Sequence, residues 1–220
     1  MKPTSAAGFT LLEMMTALGV LSVLMGISVL ALGGMKKRGS FASATGELLG
    51  NLSRARAEAY GRGTATVFII DTVGNRWWSL EDVAGTFVPA TTLTTFNPAT
   101  PAPAGFSLLG SNTFPTGVTF TGASNGYAAT LPAPYAGVPA SAGAIPPPTF
   151  AYCSFCLGSG ANQGFGAVRF EASGGATFSG GPTAVGQSLS IAGDMDSGKN
   201  VLTVAIIAKT GAAESFQVFQ

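Results

Sequence analysis

One carboxylate stands inside an otherwise uncharged run. Glu13 follows Gly8-Phe9-Thr10-Leu11-Leu12 and precedes a mostly apolar stretch from Met14 to Met35. A charge at the centre of a bilayer helix costs about 2.5–3.5 kcal/mol on insertion scales, so an acid kept there marks a functional position. The two cysteines form Cys153-Ser154-Phe155-Cys156, a spacing open to a redox pair, half of a zinc site or a small structural disulfide. No second cysteine pair and no histidine exist to complete a zinc tetrahedron. The surrounding Pro- and Gly-rich chain is not a thioredoxin-like βαβ context. Asp194-Met195-Asp196-Ser197-Gly198-Lys199-Asn200 has the outline of a calcium loop, but an EF-hand needs glycine at its sixth position and an acid at its twelfth. Here the glycine comes fifth and the twelfth residue, Ala205, is apolar, so a hairpin turn is the expectation. Without histidine, neither a Ser-His-Asp set nor histidine acid–base chemistry can be assembled. The chain is expected not to be an enzyme, and no metal or cofactor is expected.

The element that must carry Glu13 is a helix. Phe9 to Leu32 would span about 36 Å at ~1.5 Å per residue, enough to cross a hydrocarbon core of about 30 Å. Met1 to Gly8 holds one basic residue, Lys2, and is too short for a secretory signal with its own apolar region. Two readings follow: an uncleaved signal anchor, or a cut before the apolar stretch that leaves Phe9 as the new terminus. Gly19, Gly26 and Gly33 recur at intervals of seven with Ser22 between the first two. They share one helical face, which suits close backbone approach by another helix or reflects the ordinary tolerance of membrane helices for glycine.

Gly8-Phe9-Thr10-Leu11-Leu12-Glu13 followed by about twenty apolar residues resembles the class III signal of type IV pilins and type II secretion pseudopilins. The resemblance implies that a prepilin peptidase cuts between Gly8 and Phe9 and methylates the new amine of Phe9. It also makes Glu13 the fifth mature residue, the family's assembly acid. Beside the amine of a neighbouring subunit, Glu13 would stay ionised as a buried pair, adding little net stability but fixing register. Lys36-Lys37-Arg38 after the apolar run outnumber Lys2 plus the starting amine, and a plain positive-inside count would put the C-terminal domain in the cytoplasm. The motif requires the opposite orientation, with the triplet at the outer headgroup surface. Outside the cytoplasm a Cys153–Cys156 disulfide is the default.

From Phe41 to Tyr60 the pattern stays helical but becomes one-sided, with Phe41, Ala44, Leu48, Leu52, Ala55 and Ala59 at three- and four-residue spacing. An interruption or bend is expected near Gly33-Gly34 and Gly39, and an end at Gly61 and Gly63. Strand signals cover Thr64–Asp71 and Arg76–Leu80 around a Val73-Gly74-Asn75 turn. They return at Ala167–Ala172, Gly175–Phe178, Gln187–Ala192, Val201–Ala208 and Glu214–Phe219. This order is similar to the GspH/FimT group of minor pilins and pseudopilins. The organisation expected is a leader at 1–8, a transmembrane and assembly helix at 9–35, its amphipathic continuation at 36–63, and a β-rich extracytoplasmic domain at 64–220. The fold class is α+β, a pilin fold with one long helix packed on an antiparallel sheet.

No charged residue occurs between Asp82 and Arg169, and eleven of the 13 prolines lie in that interval. Prolines oppose long strands, so 83–168 reads as a loop insertion with a few short strands, packed on the sheet. Lys plus Arg number 11 against 10 for Asp plus Glu, a balance that gives nucleic acid little to bind. The resemblance implies a minor pilin or pseudopilin. Its partners would be the peptidase, other pilins or pseudopilins, the inner-membrane assembly platform and, before assembly, membrane lipid. It would start in the inner membrane with its domain in the periplasm and end in a filament. The alternatives are a major or DNA-uptake pilin and, from another class, a signal-anchored extracytoplasmic enzyme or binding protein.

Overall fold

The computed structural model describes residues 9–120, 131–138, 153–158, 160–180, 185–195 and 198–218. Helix α1, Leu11–Arg62, runs for 52 residues. It passes through Gly33, Gly34 and Gly39 without the interruption expected there. Each glycine costs a helix only about 1 kcal/mol, and the alanine, leucine, methionine and basic residues around them are strong helix formers. The end is where it was expected: Gly63 adopts φ 69° and its N–H donates to the Ala59 carbonyl, 3.1 Å, a conformation glycine reaches without penalty.

Among the described residues nine strands follow: β1 (Ala65–Asp71), β2 (Arg76–Asp82), β3 (Phe106–Thr113), β4 (Val118–Phe120), β5 (Phe165–Phe170), β6 (Ala176–Phe178), β7 (Gly186–Met195), β8 (Gly198–Ile207) and β9 (Ala213–Val218). They form two antiparallel sheets rather than one, ordered β3-β2-β1-β5-β6 and β4-β7-β8-β9. The seven-residue β1 is buried on both faces. Phe68 and Ile70 join the helix residues Phe41, Ala44, Leu48, Leu52, Ala55 and Ala59 in the main core, with Leu189, Ile191, Val204 and Ile206 from the second sheet. Alternation along the strand sends Val67 and Ile69 to the opposite face, where Phe87, Leu93 and Phe96 cover them.

Those covering residues come from the uncharged insertion, whose first arm folds into a flap with a short helix α2 (Pro89–Thr92) and a 3₁₀ turn (Leu93–Thr95). The flap explains the absence of charge: its side chains seal a second core. Asp82 holds its root, accepting from the backbone N–H groups of Thr86 and Phe87, each at 3.0 Å, while Arg169 lies 3.4 Å away. Tucked among Leu93, Thr94 and Phe96, the Asn162 amide donates to all three carbonyls and ties the flap to the chain before β5. A later arm packs Leu131, Tyr135 and Val138 against Ala205 on the second sheet. One insertion strand is longer than expected. β3 occupies the proline-free window between Pro103 and Pro115, where its ladder with β2 runs from Arg76 to Asp82 with one register shift between Ser79 and Leu80.

Candidate functional site

Two local constructions carry the residues that the sequence singled out. The first is the start of α1. Thr10 is its N-cap: the Thr10 hydroxyl oxygen accepts from the Glu13 backbone N–H, 3.3 Å, and Glu13 Oε2 accepts from the Thr10 N–H and hydroxyl, each 3.0 Å. This is a reciprocal capping box, which satisfies two of the donors that a helix start leaves open. The Thr-x-x-Glu spacing is itself a capping-box signature in the sequence, beside the reading of Glu13 as a charge in lipid and as an assembly acid. Within its own chain, Glu13 therefore already holds a backbone amide, at the positive end of the helix dipole.

Behind the box, Leu11–Ser28 is long and apolar enough to cross a membrane, and none of it is buried against the rest of the chain. Its polar side chains are satisfied internally: the hydroxyls of Thr16, Ser22 and Ser28 donate to the carbonyls of Glu13, Leu18 and Leu24 at 2.8–2.9 Å. That is what a low-dielectric solvent demands. A Cβ added at Gly19 or Gly26 would meet nothing within 4 Å, so the close approach these glycines permit is not used inside the chain. Gly33 continues the same helix. At about 100° per residue, Gly19, Ser22 and Gly26 lie on roughly the opposite side of α1 from Glu13. Lys36, Lys37 and Arg38 are exposed just before the domain begins at Phe41. Phe41 is anchored on the second sheet; a Cβ on Gly193 of β7 would come within 2.7 Å of its ring.

The second construction is a covalent clip between the sheets. Cys153 and Cys156 form a disulfide with Cα atoms 5.3 Å apart. Cys153 pairs with Leu189 on the edge of β7, and Cys156 pairs with Gly166 on the edge of β5. The hook thus fills two strand edges that β4 and β6 leave open, one in each sheet. The Ser154 N–H donates to the Ser188 carbonyl, 2.9 Å, and the Ser154 hydroxyl accepts from the Ser188 N–H, 2.9 Å. Phe155 at its tip is fully buried in the main core. Gly166 has to be glycine, because a Cβ there would lie 2.6 Å from Cys156 Sγ and 2.9 Å from the Phe155 ring.

Gly8 and Asp196 lie outside the described residues. Asp194 pairs with Lys199 where β7 turns into β8, and no cluster of metal-binding side chains occurs among the described residues.

Residues 4–29 match the model of the prokaryotic N-terminal methylation motif. The chain carries the class III signal of type IV pilins and pseudopilins. The methylation motif spans Gly8, Phe9, the capping box and the exposed apolar helix, and stops short of the globular domain. It marks a pilin-like or pseudopilin substrate of a prepilin peptidase. Compared with curated proteins and with solved structures, the chain matches none.

Proposed function

We propose that the protein is a structural filament subunit rather than an enzyme: a minor pilin or pseudopilin of GspH/FimT type. The observation that carries this reading is the methylation motif at residues 4–29, set on a helix whose described apolar half has no partner in its own chain. The peptidase would cut after Gly8 and methylate Phe9. The mature helix waits in the inner membrane with residues 36–220 outside the cytoplasm. The assembly platform then lifts it into a type IV pilus or a type II secretion pseudopilus, where Glu13 meets the amine of a neighbour.

Mass spectrometry of the membrane-extracted chain tests the first step. Loss of Met1–Gly8 with one methyl group on Phe9 is expected, and an intact N-terminus would sink the proposal. Glu13→Ala should then spare cleavage and membrane insertion but cut incorporation into sheared filaments, read by quantitative immunoblot.

A further inference from the structure

Among the described residues, the outer edge of β3 differs from the other strand edges. β3 ends its sheet, and among the described residues nothing pairs with its far side. It is eight residues long and contains no charge and no proline. The edge strands β6 and β4 have three residues each, the β7 and β5 edges are filled by the disulfide hook, and β9 carries Glu214. Shortness, charge and proline are the usual guards against unwanted strand pairing. β3 has none of these three, although a bulge at Leu109 shifts its register with β2 between Ser79 and Leu80, and Ser107, Leu108 and Ser111 are exposed along it.

A pocket lies on the same sheet face. Leu108 sits opposite Leu80 and Phe106 opposite Asp82 in the ladder with β2, which puts Leu108 and Phe106 on the flap side. There Leu80, Phe87, Phe96 and Phe106 bound a cavity of about 170 Å³ between flap and sheet. A cavity of about 150 Å³ is enough for one benzene ring. Two of the three lining threonines are already engaged: the Thr92 hydroxyl accepts from the Val88 N–H and the Thr95 hydroxyl donates to the Thr92 carbonyl, both at 3.1 Å, while Thr100 and Asn97 complete the polar part of a mostly apolar lining. The pocket therefore suits an apolar side chain better than a polar ligand.

We propose that the β3 edge and this pocket receive an extended segment of a neighbouring filament subunit, a docking mode that rests on the subunit reading above. The incoming segment adds a strand beside β3, exchanging main-chain hydrogen bonds, and places one leucine or phenylalanine side chain in the pocket. Strand addition of this kind takes affinity from the backbone and selectivity from pockets for alternate side chains. The side chain that enters the pocket is uncharged because no residue lining it carries a charge, and a charge desolvated there would stay unpaired.

Amide hydrogen exchange of the full-length chain, compared between detergent micelles and sheared filaments, tests this. The amides among 107–112 that face away from β2 should slow at least about tenfold in filaments, while those of β1, already paired on both sides, should not change. The double substitution Leu108→Lys with Ser111→Lys should leave leader cleavage and the melting temperature unchanged yet lower filament incorporation at least about tenfold. Should the double variant melt early, the exchange comparison on the unaltered chain decides alone. Entry into filaments with unchanged exchange at 107–112 overturns edge docking and leaves the subunit reading intact. Absence of the chain from filaments overturns the subunit reading, and the partner named here with it.

Discussion

The two halves of α1 share one unbroken backbone and differ in what covers them. In the first, Phe9, Leu11 and Leu12 are 72–84% exposed, and Met14 to Ile27 show no preferred side. In the second, Phe41, Ala44, Leu48, Leu52, Ala55 and Ala59 are all at or below 8%, while Glu47, Arg54 and Arg62 turn outward. A helix apolar all round has no water-facing side, so it needs lipid or other helices; a one-sided helix needs only a core. The buried alanines of the second half, Ala44, Ala55 and Ala59, let the helix sit close to the sheets, and the Thr66 hydroxyl of β1 donates to the Ala55 carbonyl at 2.5 Å. The first half keeps its small residues, Gly19 and Gly26, open to a partner from outside. One half is finished within the chain, and the other is finished only by its surroundings.

The strongest way to sharpen this contrast is a matched pair of truncations. Leu52→Ala should lower domain stability by about 2–5 kcal/mol through lost burial and a cavity. Leu21→Ala, half exposed on the membrane half, should leave the melting transition of the full chain in micelles within about 0.5 kcal/mol. Equal effects would erase the division. Next comes the clip. Replacing both Cys153 and Cys156 by serine should cost about 2 kcal/mol, the loop-closure value for so short a ring. Exchange should quicken at the Leu189 and Gly166 edges and stay unchanged in the membrane half.

On the membrane side, Thr10→Ala removes the N-cap acceptor. The first turn should fray, with the Glu13 amide exchanging several-fold faster in micelles, while the melting of the domain stays put. The smallest effect is expected at the far end of α1. The Arg62 guanidinium, 2.6 Å from Glu58, holds the Glu58 carboxyl below its ordinary value. Since the folded value is the lower one, this contribution is present above the unfolded pKa and is lost as pH falls through the folded one. Glu58→Gln should therefore melt slightly earlier than the unaltered chain at neutral pH, and the difference should vanish on acidification below the ordinary carboxylate range. A gap that persisted at low pH would remove the ion pair from the account.

Much of the local structure was legible beforehand. The stripe from Phe41 to Ala59 named the buried face residue by residue, and the Val73-Gly74-Asn75 turn fell between β1 and β2, where the Asp71 carboxylate accepts from the Val73 and Gly74 amides. The flap was not legible as a core. Phe87, Leu93 and Phe96 follow no strand or helix period, because they come from irregular chain held by Asp82 and Asn162 across many residues. The length of β3 was not legible for a related reason: the prolines on either side of it colour the composition of the whole insertion, although strand pairing responds only to the window between them. The capping box was legible, since Thr10 and Glu13 stand at the required spacing.

By itself, the sequence determined the features that depend on neighbours along the chain: the methylation motif, the helical period and its change from all-round to one-sided, the turns, and the Cys153–Cys156 spacing. These are set by rise per residue, dihedral preference and short-range hydrogen bonding. Only the tertiary structure decided that the strands divide into two sheets with the helix across both. It also decided that the disulfide hook joins an edge of each sheet, and that the flap of the uncharged insertion seals one face of the first sheet. Those outcomes depend on which surfaces meet across long chain separations, where one registry of burial wins over its competitors and no local pattern records the choice.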